Sequence, residues 1–393
     1  MDSVCIHNAN IINGFTTMKN CALMIKGNRI IDVFNERRFL QKKFDDTTTI
    51  IDAKGAYVVP GLIDTHIHGI GGFGTEDKSA KSILKMSEIL VKYGVTSFIP
   101  TLYTKSKEDM LSSIRAIVEA MGHEKGARIL GMHLEGPFIS KERLGVQKQE
   151  DVASVDLSLM EEFYQASQGH IINMTVAPEL KGMRELALYC IGRDIILQAG
   201  HTNATYEQMV EGMQARILHV THLFNAMSRM HHRDPGTVGA VFIHPELSCE
   251  IIADGIHINP EIIKFLLTCK SLDKVVLVTD SLKPTKQHKK PLMANNEEVY
   301  FKGCFYRKSD DAIAGSGLTM IDSVKNIVSY GFHLDQAIHM ASTNPARIMK
   351  QEHLGIIAPG YDADIVILNH KLDVLYTVIQ GKIYHKGQQI CMS

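Results

Sequence analysis

Residues 63–74 read IDTHIHGIGGFG, and the fold turns on which half of this stretch carries meaning. Gly69, Gly71 and Gly74 match the G-x-G-x-x-G spacing of dinucleotide sites on doubly wound sheets. That motif needs a helix opening on the glycines and an acidic residue closing the next strand. Neither follows here: TEDKSA comes after Gly74, helical periodicity starts only near Ser79, and the next apolar run, VTSFIPT, ends in Pro100 and Thr101. The glycines therefore read as a flexible loop beside a site. The histidines read differently. His66 and His68 stand at i and i+2 of a strand, so they share a face at about 7 Å spacing along the chain. Both imidazoles can then turn toward one cation.

Outward from this stretch the pattern repeats as buried strand, loop and helix. Apolar runs bounded by turn signals occur at GLIDTHIH, VTSFIPT, RILGMHLEG, INMTVAPE, DIILQAGH, RILHVTHLFN, CEIIADGIHI and VVLVTD. Stretches of 3.6-residue period such as AKSILKMSEILVKYG and PEIIKFLLTCK lie between them. Eight such units predict an α/β fold, a (β/α)8 TIM-like barrel with functional groups at the carboxyl ends of its strands. Short strands with tight turns occupy both chain ends, and these predict a small β-sandwich domain built from the two termini together. The expected division is 1–57 and 359–393 for the small β domain and 58–358 for the barrel. The polar run LKPTKQHKKPLMANNEE, residues 282–298, reads as a mobile loop.

Composition excludes several function classes. The chain has 393 residues, 45% hydrophobic and 22% charged, with a net charge of −1, which gives no electrostatic footprint for nucleic acid or an anionic membrane. No apolar run is long enough to span a bilayer. The seven cysteines, Cys5, Cys21, Cys190, Cys249, Cys269, Cys304 and Cys391, show no C-x-x-C spacing, and the opening MDSVCIHNAN is unlike a signal peptide. Reduced thiols and a cytoplasmic location are expected.

The residues at the predicted strand ends are His66 and His68 (first strand), Glu135 (third), His201 (fifth), His222 (sixth) and Asp280 (eighth). Singly, each is an ordinary loop residue or cap. Together they are metal-ligand types that a barrel must gather at one mouth. No Ser or Cys sits in a nucleophile elbow, and Gly315-Ser316-Gly317 lacks the G-x-S-x-G spacing. Water is therefore the expected nucleophile.

The order HIH, HLEGP, AGH, THLFNAM and LVTD resembles the amidohydrolase superfamily. HLEGPF, GHTNATYE, VTHLFNAM, RDPG, IIADGIHI, LVTDS and IAGSGLTM are similar to the N-acetylglucosamine-6-phosphate deacetylase family across about residues 50–370. The resemblance implies that Glu135, His201 and His222 hold a principal divalent metal, zinc or iron, and that His66 and His68 hold a second with Glu135 bridging. It implies that Asn225 and Ala226 meet a sugar phosphate through backbone amides, that Arg233 and His257 grip that phosphate, and that a homodimer shares the site. Where many members carry Gly-Ala-His, this chain has Gly145-Val146-Gln147, so Gln147 is expected to donate an amide hydrogen bond to the substrate carbonyl. The implied reaction is hydrolysis of the acetamide of N-acetylglucosamine 6-phosphate by metal-bound hydroxide, with Asp280 as general base and then acid. The alternatives are another N-acyl sugar, a cyclic amide, or a catalytically silent barrel. Arg233 and His257 argue against a small uncharged ring, and the intact ligand set argues against silence.

Overall fold

The computed structural model describes residues 3–387. Eight parallel strands form the barrel: Leu62–Ile67, Val95–Leu102, Met132–Glu135, Ile171–Val176, Ile196–Ala199, His219–Val220, Ser248–Ile252 and Val275–Val278, and a ninth, two-residue strand of the same sheet, Arg128–Ile129, pairs with the second. The eight pair in chain order. The barrel closes where the chain beyond the eighth strand returns to the first: Ile67 bridges Ser281, Asp280 N–H donates to His66 O at 2.8 Å, and His68 N–H donates to Ser281 O at 3.0 Å. Every residue of Leu62–Ile67 and Val95–Leu102 is buried, as expected of strands covered on both faces. The covering helices are one-sided. Ala80–Leu90 buries Ile83, Met86, Ser87 and Leu90, a stripe at helical spacing. The chain then turns at Gly94, whose φ of +77° suits a residue without Cβ, directly into Val95.

The predicted β domain is an eight-stranded sheet drawn from both chain ends. Ile365–Leu368 pairs antiparallel with Tyr57–Pro60, and Ser3–Ile12 joins that pair to Thr17–Lys26, Arg29–Asn35 and Thr48–Asp52. Its own core holds Ile6, Ile11, Leu23, Ile25, Val58 and Ile365. Arg128 joins barrel and sheet through ion pairs to Asp362, at 3.1 Å, and Asp364.

Two expectations are corrected. Residues 282–298 are not a loose loop. They open an insertion whose strands Met293–Ala294, Glu297–Lys302, Cys304–Arg307 and Ile313–Gly315 form a four-stranded sheet, with Leu282, Ala294, Val299 and Phe305 packed against Tyr103. Residues 69–74 are likewise ordered, as the strand pair Gly69–Ile70 and Phe73–Gly74 clamped to the start of that insertion. Gly71 N–H donates to Thr285 O at 2.6 Å and Gly72 N–H to Lys283 O at 2.8 Å. A Cβ on Gly69 would lie 2.6 Å from Lys283 Cα, so the glycines admit a close backbone approach and not a pyrophosphate.

Among the described residues, no helix is long and apolar enough to cross a membrane. The six cysteines of this range are free thiols, and Cys391 lies outside it.

Candidate active site

The six predicted ligand-type side chains meet at the carboxyl mouth of the barrel. His66 and Glu135 are strand residues, while His201, His222 and Asp280 each stand two residues past a strand end, where they take positive φ values of +46°, +27° and +46°. Non-glycine residues adopt that backbone at a cost, which surrounding structure must offset. Glu179 does so for the His201 turn, accepting from Thr202 Oγ1 at 2.5 Å and Asn203 N–H at 2.7 Å.

Glu135 is the hub. Its Oε1 lies 3.1 Å from His222 Nε2, 3.2 Å from His201 Nε2 and 3.4 Å from His66 Nε2, and its Oε2 lies 3.5 Å from His68 Nε2. Asp280 Oδ1 lies 3.5 Å from His66 Nε2 and 3.3 Å from His68 Nε2. The donors fall into two trios, His66–His68–Asp280 and Glu135–His201–His222. Spacings of 3.1–3.5 Å match the edge of a tetrahedron with metal–ligand bonds near 2.05 Å, about 3.3 Å. The far ring nitrogens support the same reading. His66 Nδ1 faces Glu250 Oε2 at 3.0 Å, His68 Nδ1 faces Thr101 O at 3.1 Å, and His201 Nδ1 faces Arg143 O at 3.0 Å. A proton on each Nδ1 leaves the Nε2 lone pair aimed inward, as in metal-ligating histidines. His66 Nε2 is buried without a hydrogen-bond partner, an orphan that a cation would satisfy.

The electrostatics are those of a sealed ionic cluster. Burial raises the Glu135 carboxyl, but His201, His222 and His66 outweigh it and hold the group well below its usual range. Burial likewise raises Asp280, and His66 and His68 reverse the sign. Glu250, fully buried in the seventh strand, is kept low against its own burial by His66 and His219. It also accepts the backbone N–H of His222 at 3.2 Å, so one carboxylate orients two ligands. The sequence reading missed Glu250, although an acid inside the apolar run CEIIAD was the available signal.

The predicted substrate residues are placed unevenly. Asn225, Ala226 and His257 line a cavity of about 180 Å³ over the metal-type cluster, together with Tyr103, Ile313 and Ala314. Tyr103 stacks on His68, with ring centroids 3.8 Å apart. Ala226 has φ +48°, and Asn225 donates its side-chain amide to the carbonyls of His222 and Leu223 at 3.2 Å each. A recess of about 260 Å³ adjoins at Gly145 and Ala226 and is lined by Arg143 and Arg229, two guanidinium groups the sequence reading passed over. Gln147 is 3% exposed. It donates to Glu135 Oε2 at 2.7 Å and accepts Thr104 N–H at 3.1 Å, so its nearest partner is the hub carboxylate. Arg233 is not brought to the cavity of its own chain. It is exposed, with Nη1 2.8 Å from its neighbour His232 Nε2.

Known proteins resemble this chain along nearly its whole length. A profile described as "Amidohydrolase family" matches residues 57–384. The chain is 31% identical to the N-acetylglucosamine-6-phosphate deacetylase of Bacillus subtilis, over 97% of each chain. It is 29% identical to the N-acetylgalactosamine-6-phosphate deacetylase of Escherichia coli O157:H7, over 85% of this chain and 89% of that one. Among solved structures it resembles a variant of the N-acetyl-D-glucosamine-6-phosphate deacetylase of Mycobacterium smegmatis in complex with N-acetyl-D-glucosamine 6-phosphate. The TM-score is 0.89 at 25% identity, covering 98% of this chain and all of that one. With these matches along nearly its whole length, and a barrel whose mouth carries His66, His68, Glu135, His201, His222 and Asp280, the chain belongs to the amidohydrolase family.

Proposed function

We propose that this protein hydrolyses the acetamide of N-acetylglucosamine 6-phosphate to acetate and glucosamine 6-phosphate. The observation that carries the reading is the convergence of four imidazole Nε2 atoms on the carboxylates of Glu135 and Asp280 under a sugar-sized opening. Relatives of that activity along the full chain support it. Glu135, His201 and His222 would hold one divalent cation and His66 with His68 a second, and zinc or iron suits this nitrogen and oxygen donor set. When bound, such a cation lowers the pKa of water toward about 7 and polarises the acetyl oxygen.

The chain's own groups do the remainder. Asp280, 13% exposed at its side chain toward the cavity, takes the proton of the attacking water and returns it to the glucosamine nitrogen, which then leaves as an amine. Gln147 orients Glu135 through one amide hydrogen and keeps the other for substrate. Asn225, Ala226 and the recess with Arg143 and Arg229 form the phosphate end. An N-acetylgalactosamine 6-phosphate substrate is the second reading, favoured by the Escherichia coli relative. The metal-replete enzyme should deacetylate the phosphorylated sugar at least a hundredfold more efficiently than N-acetylglucosamine, and chelation should abolish turnover. Equal kcat/KM with and without phosphate would remove the phosphosugar from the reading. A higher kcat/KM for the galacto epimer would select the second substrate.

A homodimer completes the phosphate grip in this proposal. Arg233 sits on an exposed stretch, 229–234, that includes Met230, and in this reading it reaches a neighbouring copy. A charge-assisted contact to phosphate contributes about 1.5–3 kcal/mol. Arg233→Ala should therefore raise KM tenfold to a hundredfold with metal content unchanged. Once subunit exchange is demonstrated, mixing inactive Asp280→Asn chains with Arg233→Ala chains should restore part of the activity. No gain in such hybrids would place both groups in one chain.

A further inference from the structure

The inserted sheet does more than cover the mouth. Its strands Glu297–Lys302 and Cys304–Arg307 turn at Gly303, with φ +82°. A Cβ at that position would lie 2.4 Å from Ile256 Cδ1, so the turn is seated on the loop that carries Asp254 and His257. This seating brings three donors of different chemistry together: one ligand atom each from Asp254, His257 and Cys304 lies within 4.8 Å of the other two. The group is enclosed. Cys304 is fully buried, and the side chains of His257 and Asp254 are 4% and 2% exposed.

Asp254 is already organised for a positive partner. Its Oδ1 accepts the backbone N–H groups of Ile256 and His257 at 2.8 Å each, and its Oδ2 lies 2.6 Å from His257 Nδ1. Burial pushes the Cys304 thiol up to about 11, against a lowering by the Tyr306 hydroxyl and with a smaller rise from the Asp254 charge, so the thiol is protonated at neutral pH. A cation entering the cluster displaces that proton and gains a thiolate ligand. A mixed sulfur, nitrogen and oxygen set favours soft or borderline ions such as cadmium or zinc over magnesium or calcium.

We propose that Asp254, His257 and Cys304 form an accessory site for a soft divalent cation, separate from the cluster around Glu135, and that its occupation inhibits the enzyme by immobilising His257 at the wall of the substrate cavity. Binding of the cation stands on the cluster itself, and only the inhibition rests on the proposed deacetylase reading. Cys304 is neither among the residues lining the substrate cavity nor among those facing Glu135 and Asp280, so Cys304→Ser should leave basal turnover intact.

The test is titration of the holoenzyme, with its resident metal loaded, by cadmium chloride while following sulfur-to-cadmium charge-transfer absorbance and bound cadmium. The expected result is one additional cadmium ion per chain with a thiolate band. Cys304→Ser and Cys304→Ala should both lose the band, bind that ion at least tenfold more weakly, and resist cadmium inhibition at least tenfold better than the parent. Identical bands and affinities in parent and variants would overturn the site. Equal inhibition of parent and variants, with the band still lost, would overturn the inhibitory link alone. The absorbance arm needs no substrate, so failure of the deacetylase reading is distinguishable from failure of the cation site.

Discussion

Asp280→Asn is expected to yield a folded, metal-loaded protein whose kcat is lower by roughly 10²–10⁴-fold, the range a positioned proton carrier contributes. The backbone favours this test. Asp280 has φ +46°, and asparagine tolerates the left-handed region better than other non-glycine residues. The variant keeps an oxygen that can face His66 and His68, which lie 3.5 and 3.3 Å from Asp280 Oδ1, so little metal should be lost. What disappears is a group that can take a proton from water and carry it to a departing nitrogen, because an amide has no usable basic site near neutral pH. Steady-state kinetics beside elemental analysis reads both quantities. Turnover within a factor of three of the parent would remove Asp280 from the proton path. A drop in metal content parallel to the drop in rate would make it a ligand first and a proton carrier second.

Glu135→Gln should fail in the opposite way, with the metal leaving and the rate following. Oε1 of Glu135 faces three imidazole Nε2 atoms at 3.1–3.4 Å, while Oε2 receives the Gln147 amide at 2.7 Å. An amide at this position must aim its NH₂ group either at those imidazoles or at another NH₂ group. One orientation occupies the lone pairs meant for a cation, and the other sets two donors face to face. The ligand charge is lost in both. The expected loss of metal affinity exceeds the roughly 10–100-fold typical of changes in residues that only support a ligand. Glu250→Gln, which acts through His66 and the His222 backbone, supplies that smaller comparison in the same protein. Full metal content in Glu135→Gln, measured on protein purified without chelator, would remove Glu135 from the centre of the site.

Much of this architecture was legible along the chain because the signals are local. Buried strands covered on both sides read as continuous apolar runs, and a residue just past such a run lies at the strand's carboxyl end whatever surrounds it. That logic reached His66, His68, Glu135, His201, His222 and Asp280 from five separate segments. It also rejected the glycine fingerprint, since the helix that motif requires is absent next to Gly74.

Packing between distant segments was not legible. Nothing in GIGGFG shows that its first glycine, Gly69, admits the backbone of Lys283, and nothing in the polar run 282–298 shows that its residues help build a sheet seated on Tyr103 and on the Asp254–His257 loop. Gln147 could be placed near the site by its motif, but its bond to Glu135 is a contact across the mouth. Glu250 is hidden for a related reason, since an acid in an apolar strand is informative only when other strands of the barrel supply His66 and His219. By itself, then, the sequence determined the barrel, the small β domain from both chain ends and the ring of ligand-type residues, because periodicity and strand ends are properties of single segments. The tertiary structure alone decided which carboxylate each imidazole faces, where the insertion docks, and that Cys304 meets His257, because those depend on distances of a few ångströms between segments that no local pattern links.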